Sequence, residues 1–396
     1  MLIESLVVLI GYIALHVFSI IQSSRCLSSR TKKEGRYRKV RPIWITVYVC
    51  ISLLPVAGTF WPDRPFKYTV MMIGNVTLGF DLYYCGFLLV FTLIQSIYIQ
   101  IKKRRFEPKP PKEIWTMNLA VVMAFVLPLF AMIHAQQPVV TYWHTDISEG
   151  QETGEMRVVL LGDLHMSVNS NPKLIEKAVT LANEQDPDVI LIAGDFFTSN
   201  YEGLKHPELY IEQLKKLSAK EGVYAVYGNH DVKENLFCGF AVAPVSEAYR
   251  MPEMDAFLDE CGFTMLEDET TTIADGHILL VGRKDRDKVG DGTDIRKPVE
   301  ELLEGIEPAD KVFVLEHEPT DYNELDEEGA DIVFSGHTHR GQIWPCNYFI
   351  GLFNKNGYGH KVVNGIDTFV TEGVGYFGPP QRSGTESEVM VIDIKY

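Results

Sequence analysis

Five short segments carry side chains that can do metal chemistry: Gly162-Asp163-Leu164-His165, Gly194-Asp195, Gly228-Asn229-His230-Asp231, Glu316-His317 and Gly336-His337-Thr338-His339. Each follows a run of apolar, β-prone residues, so these groups stand at strand ends, where loops can gather them. Asp163 and His165 alternate just past a strand end and can turn toward one ion. Asp195 brings two carboxylate oxygens, one for each of two ions. Asn229 offers a neutral amide oxygen, and His317, His337 and His339 offer imidazoles. Mixed nitrogen and oxygen ligation suits Mn, Fe or Zn rather than Ca or Mg, which prefer oxygen shells. The absence of cysteine from the set argues against a structural zinc site. Two divalent ions with a free water suit phosphoester hydrolysis.

The elements that must position these groups alternate in type. Arg157–Leu161, Asp188–Ala193, Val223–Tyr227, His277–Val281, Lys311–Leu315 and Asp331–Ser335 read as short buried strands, and Lys361–Val370 and Glu388–Ile394 as later ones. Pro172–Glu184, Pro207–Ser218, Pro252–Glu260 and Ile295–Leu303 read as helices; several begin with Pro, whose missing N–H costs nothing in a first turn. The pattern predicts an α/β layered domain with a mixed sheet or two packed sheets.

The chain of 396 residues is two chemically different halves. Through Trp143 there are 16 Lys+Arg against 6 Asp+Glu; the remainder has 21 against 47. So acidic a second half excludes nucleic-acid binding, which rests on basic patches. The six cysteines include no CxxC pair, and three fall in each half, which argues against a disulfide framework. Residues 2–22, 43–61, 82–101 and 114–133 are apolar runs long enough to span a bilayer, and together they predict an all-α transmembrane region over 1–135. No basic n-region precedes the first run and no small-residue cleavage site follows it, so it reads as a span rather than a signal peptide. Ser23–Arg41 contains eight basic residues and Lys102–Lys112 six, whereas Arg64 and Lys67 between the second and third runs are offset by Asp63. The positive-inside rule then puts the N-terminus and everything after the fourth run outside the cytoplasm. Residues 136–156 read as a polar linker, and 157–396 as the catalytic domain. Pro55 and Pro128 read as kinks within spans, and Asp81 as an interfacial carboxylate.

The ordered set Asp-x-His, Gly-Asp, Gly-Asn-His-Asp, a lone His and Gly-His-Thr-His resembles the calcineurin-like metallophosphoesterases over about Arg157–Tyr396. That resemblance implies a layered sandwich of two mixed β-sheets flanked by helices, and two divalent ions. Asp163, His165, Asp195 and His339 would hold the first ion. Asp195, Asn229, His317 and His337 would hold the second, with Asp195 bridging. His230 would contact the scissile phosphate and protonate the leaving oxygen, with Asp231 setting its orientation. A hydroxide between the ions would attack phosphorus in line. The family often has a further carboxylate three residues after the Gly-Asp aspartate; here that position is Thr198, so the role of that carboxylate is lost or moved.

Gly-His-Thr-His-Arg-Gly-Gln-Ile-Trp-Pro and Glu-Gly-Val-Gly-Tyr-Phe-Gly-Pro-Pro-Gln-Arg resemble the membrane-attached bacterial branch, which includes UDP-diacylglucosamine pyrophosphatase-like enzymes. This implies a phosphomonoester, phosphodiester or pyrophosphate substrate, lipid-linked or from the envelope. Arg340 and Arg382 are candidates for binding a phosphate oxygen. Trp344, Tyr348, Phe349, Leu352 and Phe353 read first as core packing, and second as a lid or lipid-facing lip. Phe196 and Phe197 read as packing residues. His16, His134, His206, His277 and His360 lack ligand spacing or a visible partner, and Asp285, Asp287, Asp291 and Asp294 read as a solvated acidic loop. The alternative class is a non-catalytic membrane receptor or scaffold that keeps the same fold.

Overall fold

The computed structural model describes residues 2–30, 36–61, 66–105, 114–148, 150, 154–237, 240–241, 248–293, 295–304 and 309–396. Lys32, Lys33, Asp63, Arg64, Lys109 and Lys112 of the loop-charge argument, and Asp294, lie outside them. The chain divides into two compact units: Met1–Met132 with Leu236–Val242, and Ile133–Asn235 with Ala243–Tyr396.

The first unit is helical. It holds α1 (Leu2–Arg30), α2 (Arg36–Ser52), α3 (Leu54–Phe60), α4 (Lys67–Arg105) and most of α5 (Ile114–His134). Among the described residues, three stretches are long and apolar enough to cross a membrane: Leu9–Leu27, Lys39–Phe60 and Lys67–Ile101. The described apolar part of α5, Asn118–His134, is shorter. Pro55 sits in the first turn of α3, just past Leu53, where the helix of the second span breaks. The third run differs most from expectation. Val70, Met71, Met72, Ile73, Val76 and Leu78 extend the helix well before Leu82, so Asp81 lies inside α4 and is buried rather than interfacial.

The second unit has four layers. Sheet one runs β1 (Pro138–Asp146), β14 (Ser387–Lys395), β2 (Glu155–Leu161), β3 (Val189–Ala193), β4 (Val223–Val226), β7 (Thr264–Met265). Sheet two runs β12 (Gly359–Val363), β13 (Ile366–Val370), β11 (Ile332–Ser335), β10 (Lys311–Leu315), β9 (Ile278–Gly282), β8 (Glu269–Ile273). Both are mixed: β2, β3, β4 and β7 are parallel with β14 antiparallel to β2, and β9, β10, β11 and β13 are parallel with antiparallel edges. The two-residue period of a strand separates the cores. Val158 and Leu160 of β2 face inward with Leu280, Phe313 and Phe334 of sheet two. Val159 and Leu161 face α6 (Pro172–Asn183), α7 (Pro207–Leu214) and α8 (Pro252–Cys261). Leu279, Val314 and Val333 face α9 (Val299–Leu303) and α10 (Tyr322–Glu327). A two-stranded antiparallel sheet, β5 (Leu236–Phe237) and β6 (Phe240–Ala241), belongs to the first unit.

Two segments depart from the sequence reading. Residues 136–156 are not a free linker: Pro138–Asp146 is the edge strand β1, parallel to the last strand along its whole length. Its Val139, Val140, Thr141, Tyr142 and Trp143 are β-prone, a signal outweighed by the polar residues around it. Lys361–Val370 is a hairpin rather than one strand, because Asn364 and Gly365 take φ of 55° and 94° and turn the chain.

Candidate metal centre

The candidate ligands all follow central strands: Asp163 and His165 follow β2, Asp195 follows β3, Asn229 and His230 follow β4, His317 follows β10, and His337 and His339 follow β11. Asp163, His165, Asp195, His337 and His339 take φ of 49°, 45°, 54°, 71° and 48°. A left-handed backbone is uncommon for such residues, and its concentration here turns each side chain sharply off its strand toward one point. The crowding leaves no room beside the turns: a Cβ on Gly194 would sit 2.5 Å from Gly228 N, and one on Gly228 would sit 2.2 Å from Asp195 Oδ1.

The inward atoms form a continuous set. His165 Nε2 is 2.9 Å from His339 Nε2 and 3.5 Å from Asp195 Oδ2. His339 Nε2 is 3.7 Å from Asp163 Oδ1. On the other side of Asp195, its Oδ2 is 3.3 Å from His317 Nε2, which in turn lies 2.9 Å from Asn229 Oδ1. His337 Nδ1 completes that side, 3.1 Å from Asn229 Oδ1 and 3.2 Å from His317 Nε2. Asp163, His165 and His339 form one ligand-capable cluster, and Asp163, Asp195 and His317 a second that shares Asp163. All seven residues are brought together.

Outer contacts fix the rings. His317 Nδ1 donates to Ala193 O at 2.7 Å, which leaves Nε2 as the free donor atom. His165 Nδ1 lies 3.1 Å from Thr198 Oγ1, so a hydroxyl holds that ring from its outer side. Asp163 accepts the backbone N–H of His337 on both oxygens, and Asp195 Oδ1 accepts that of His230 at 2.8 Å. Burial pushes the Asp163 carboxyl up to about 7 and His165 and His337 down to about 3. Burial opposes the charge on Asp195 and His317 too, but their mutual attraction wins: Asp195 is held well below the carboxylate range and His317 well above the ordinary imidazole value.

His230 sits beside this set without joining it. Its ring stacks on Phe377 at 4.5 Å between centroids. Its Nδ1 lies 3.1 Å from Ser199 Oγ and 3.3 Å from Glu234 Oε1. Asp231 does not orient it: among the described residues its carboxylate accepts from Gly228 N at 2.8 Å and Phe197 N at 2.9 Å, so it shapes the turn instead. Ser199, Glu234, Lys288 and Phe377 had no signal of their own in the sequence, since they come from four separate loops.

The two arginines are engaged. Arg382 has no exposed surface; its Nε donates to Gly375 O and its Nη2 to Glu372 O and Gly373 O, with Nη2 3.2 Å from His339 Nδ1. That arrangement braces the loop and the His339 ring, and Arg382 Nη1 is buried without a hydrogen-bond partner among the described residues. Arg340 pairs with the buried Glu372 at 2.8 Å and lies over the Tyr358 ring at 4.4 Å, with part of its side chain in solvent. Phe196 and Phe197 are packing residues, set against Phe263 and against Tyr201 and Phe257. Asp285 is buried rather than solvated; its Oδ1 accepts the N–H groups of Asp287 and Lys288. His134 pairs with Glu386, and His360 with Asp367.

The apolar loop overturns its core-packing reading. Trp344, Tyr348, Phe349, Leu352 and Phe353 are 44, 73, 52, 75 and 82% exposed, on 3₁₀ turns just after the last ligand segment.

Residues 156–341 match the family model described as calcineurin-like phosphoesterase. The chain is similar to a zebrafish transmembrane protein with metallophosphoesterase domain, 27% identical over 70% of this chain and 62% of that one. The bovine protein of the same description is 28% identical over 68% of this chain and 60% of its own length. An uncharacterized metallophosphoesterase of Campylobacter jejuni is 24% identical over 70% of this chain and 69% of its own. The chain thus spans less than two thirds of the two animal relatives.

Proposed function

Since residues 156–341 form a calcineurin-like metallophosphoesterase domain, we propose that the chain is a membrane-tethered phosphoesterase that works with two divalent ions of the Mn, Fe or Zn class. One observation carries this reading. Four imidazole nitrogens, two carboxylates and an amide oxygen face one another at 2.9–3.7 Å, within the reach of shared cations. A buried set of this kind, with outer nitrogens tied to Ala193 O and Thr198 Oγ1, suits metal ions better than a structural network, which would not set His165 Nε2 against His339 Nε2.

Asp163, His165 and His339 would hold one ion, Asn229, His317 and His337 the other, with Asp195 between. When bound, such ions supply Lewis acidity toward a phosphoryl oxygen and lower the pKa of bound water. The chain's own part is positioning and proton transfer. His230 donates a proton to the leaving oxygen, its ring held by Phe377, Ser199 and Glu234. Arg340 reaches a phosphate oxygen from the loop rim, and Arg382 positions His339.

The substrate is a phosphomonoester, phosphodiester or pyrophosphate carried by an amphiphile. Two features support this: the exposed aromatic loop beside the site and the membrane-capable helices. The basic segments around Ser23–Arg41 and Lys102–Lys112 support an extracytoplasmic domain. Purified protein in detergent, screened with each metal against aryl phosphates, phosphodiesters and nucleotide- or polyprenyl-linked lipids, tests the reading. Metal-dependent turnover that is greatest on an amphiphile is expected. No turnover under any combination would favour the receptor or scaffold reading. Reporter fusions at the C-terminus test the orientation: activity of a cytoplasm-only reporter would refute it.

A further inference from the structure

Away from the phosphoesterase centre, three helices of the first unit converge on a polar cluster that the proposed chemistry does not use. His16 comes from α1, Tyr48 from α2, and Asp81 and Cys85 from one face of α4. Only 9% of His16, 5% of Asp81 and none of Cys85 is exposed. Tyr48 Oη lies 2.7 Å from His16 Nδ1 and 3.1 Å from Cys85 Sγ. Ser19 Oγ donates to Cys85 Sγ at 3.2 Å. One ligand-capable atom from each of His16, Asp81 and Cys85 lies within 4.8 Å of the other two.

A brace between helices would satisfy its members. This cluster leaves two atoms over: His16 Nε2 and Asp81 Oδ2 face each other at 3.4 Å, yet among the described residues neither atom makes a hydrogen bond, while the rest of the Asp81 carboxylate is held by Ser52 and Tyr48. An ionisable group inside a membrane-capable helix is costly and needs compensation. We propose that His16, Asp81 and Cys85 form a metal site for a zinc-class divalent cation, separate from the phosphoesterase centre. The charge balances, since one divalent ion neutralises an Asp81 carboxylate and a Cys85 thiolate and leaves a neutral complex in a low-dielectric bundle. The donor types fit. Imidazole, carboxylate and thiolate together suit zinc over calcium or magnesium. The spacing is compatible: tetrahedral zinc sets its ligand atoms about 3.3–3.6 Å apart, His16 Nε2 and Asp81 Oδ2 are already 3.4 Å apart, and a Cys85 Sγ within 4.8 Å can close on them. Tyr48 holds Nδ1 of His16, which leaves Nε2 for the ion, the usual division of an imidazole between a metal and an outer partner. A water would complete the shell.

The phosphoesterase ligands include no cysteine, which gives a selective probe. Full-length protein in detergent is stripped and loaded with cobalt(II), and its near-ultraviolet thiolate-to-cobalt charge-transfer absorption is recorded. The band is expected in the parent protein and in Ser19→Ala, and absent from Cys85→Ser and His16→Ala. Zinc content by mass spectrometry should fall by one ion per chain in Cys85→Ser, with aryl phosphate hydrolysis unchanged. Absence of the band from the parent protein overturns the proposal and needs no variant. So does a band that persists in Cys85→Ser, which would assign it to another cysteine.

Discussion

Glu234 Oε1 lies 3.3 Å from Nδ1 of His230, and the same oxygen accepts hydrogen bonds from Lys288 Nζ at 2.7 Å and Ser199 Oγ at 3.1 Å. One buried carboxylate thus ties together three loops around the imidazole proposed as the acid. Burial disfavours its charge, but His230 and Lys288 hold it below the ordinary glutamate value, so it remains an anion beside the His230 ring.

Glu234→Gln keeps the shape and removes the charge. It should lower kcat about 10–100-fold, a fraction of the effect of a general acid, with little change in KM. The loss should be smaller for aryl phosphates than for alkyl phosphates, whose leaving oxygens depend more on protonation. Equal losses across leaving groups would assign Glu234 a purely structural role.

His230→Ala should lower kcat about 10²–10⁴-fold while bound metal stays at the parent level, because no inward-facing ligand atom is removed. Metal analysis beside steady-state kinetics checks this. Loss of metal in parallel with activity would make His230 a ligand.

The exposed loop should matter only to amphiphiles. Replacing Leu352 and Phe353, 75 and 82% exposed, by Ser removes apolar surface without opening a core. Turnover of a lipid-linked phosphoester in mixed micelles should fall about tenfold, the scale of two side chains each partly withdrawn from water, while aryl phosphate kinetics hold. Equal effects on both would tie the loop to the site itself.

What was legible in the sequence was whatever sits in one contiguous stretch. The strands β2, β3, β10 and β11 announce themselves as apolar runs, and each ligand follows one directly, so the inward set could be gathered before any coordinates. The partners of His230 could not. Glu234 and Lys288 are ordinary charged residues on separate loops, and only the folded chain sets their side chains 2.7 Å apart. Asp231 misled because adjacency in sequence is not adjacency of side chains: in this turn its carboxylate points back to Gly228 N. The cluster of His16, Asp81 and Cys85 was hidden for the same reason, since it needs the packing of α1 against α4. Edge strand β1 was hidden because most of it is only half-buried, so no clean apolar alternation marks it.

Gly228 has no room for a side chain: a Cβ would meet Asp195 Oδ1 at 2.2 Å and Asp195 N at 2.4 Å. Gly228→Ala must therefore push the β3 and β4 turns apart. A stability loss of about 1–3 kcal/mol is expected, the usual range for overpacking, together with loss of metal even where the fold survives. Thermal melts and metal content measure both. An alanine variant with full metal content would show that the turns can separate without disturbing Asp195.

Metal uptake should release protons and strengthen as pH rises. In the ion-free protein burial disfavours a charged His317, but Asp195 and Asp163 outweigh it and raise its pKa well above the usual imidazole value. For a raised group the stabilising charge pair is complete below the unfolded pKa and fades as pH climbs through the folded one. At neutral pH, then, His317 is protonated against Asp195, and an ion at Nε2 must expel that proton. Calorimetric titration of apo protein with Mn or Zn, in buffers of different ionisation enthalpy, should report net proton release at pH 7. Apparent affinity should weaken as pH falls. The His317→Gln variant, which carries no such proton, should show less release and a flatter pH dependence. Affinity that does not change between pH 6 and 8 would contradict the protonated ion-free state.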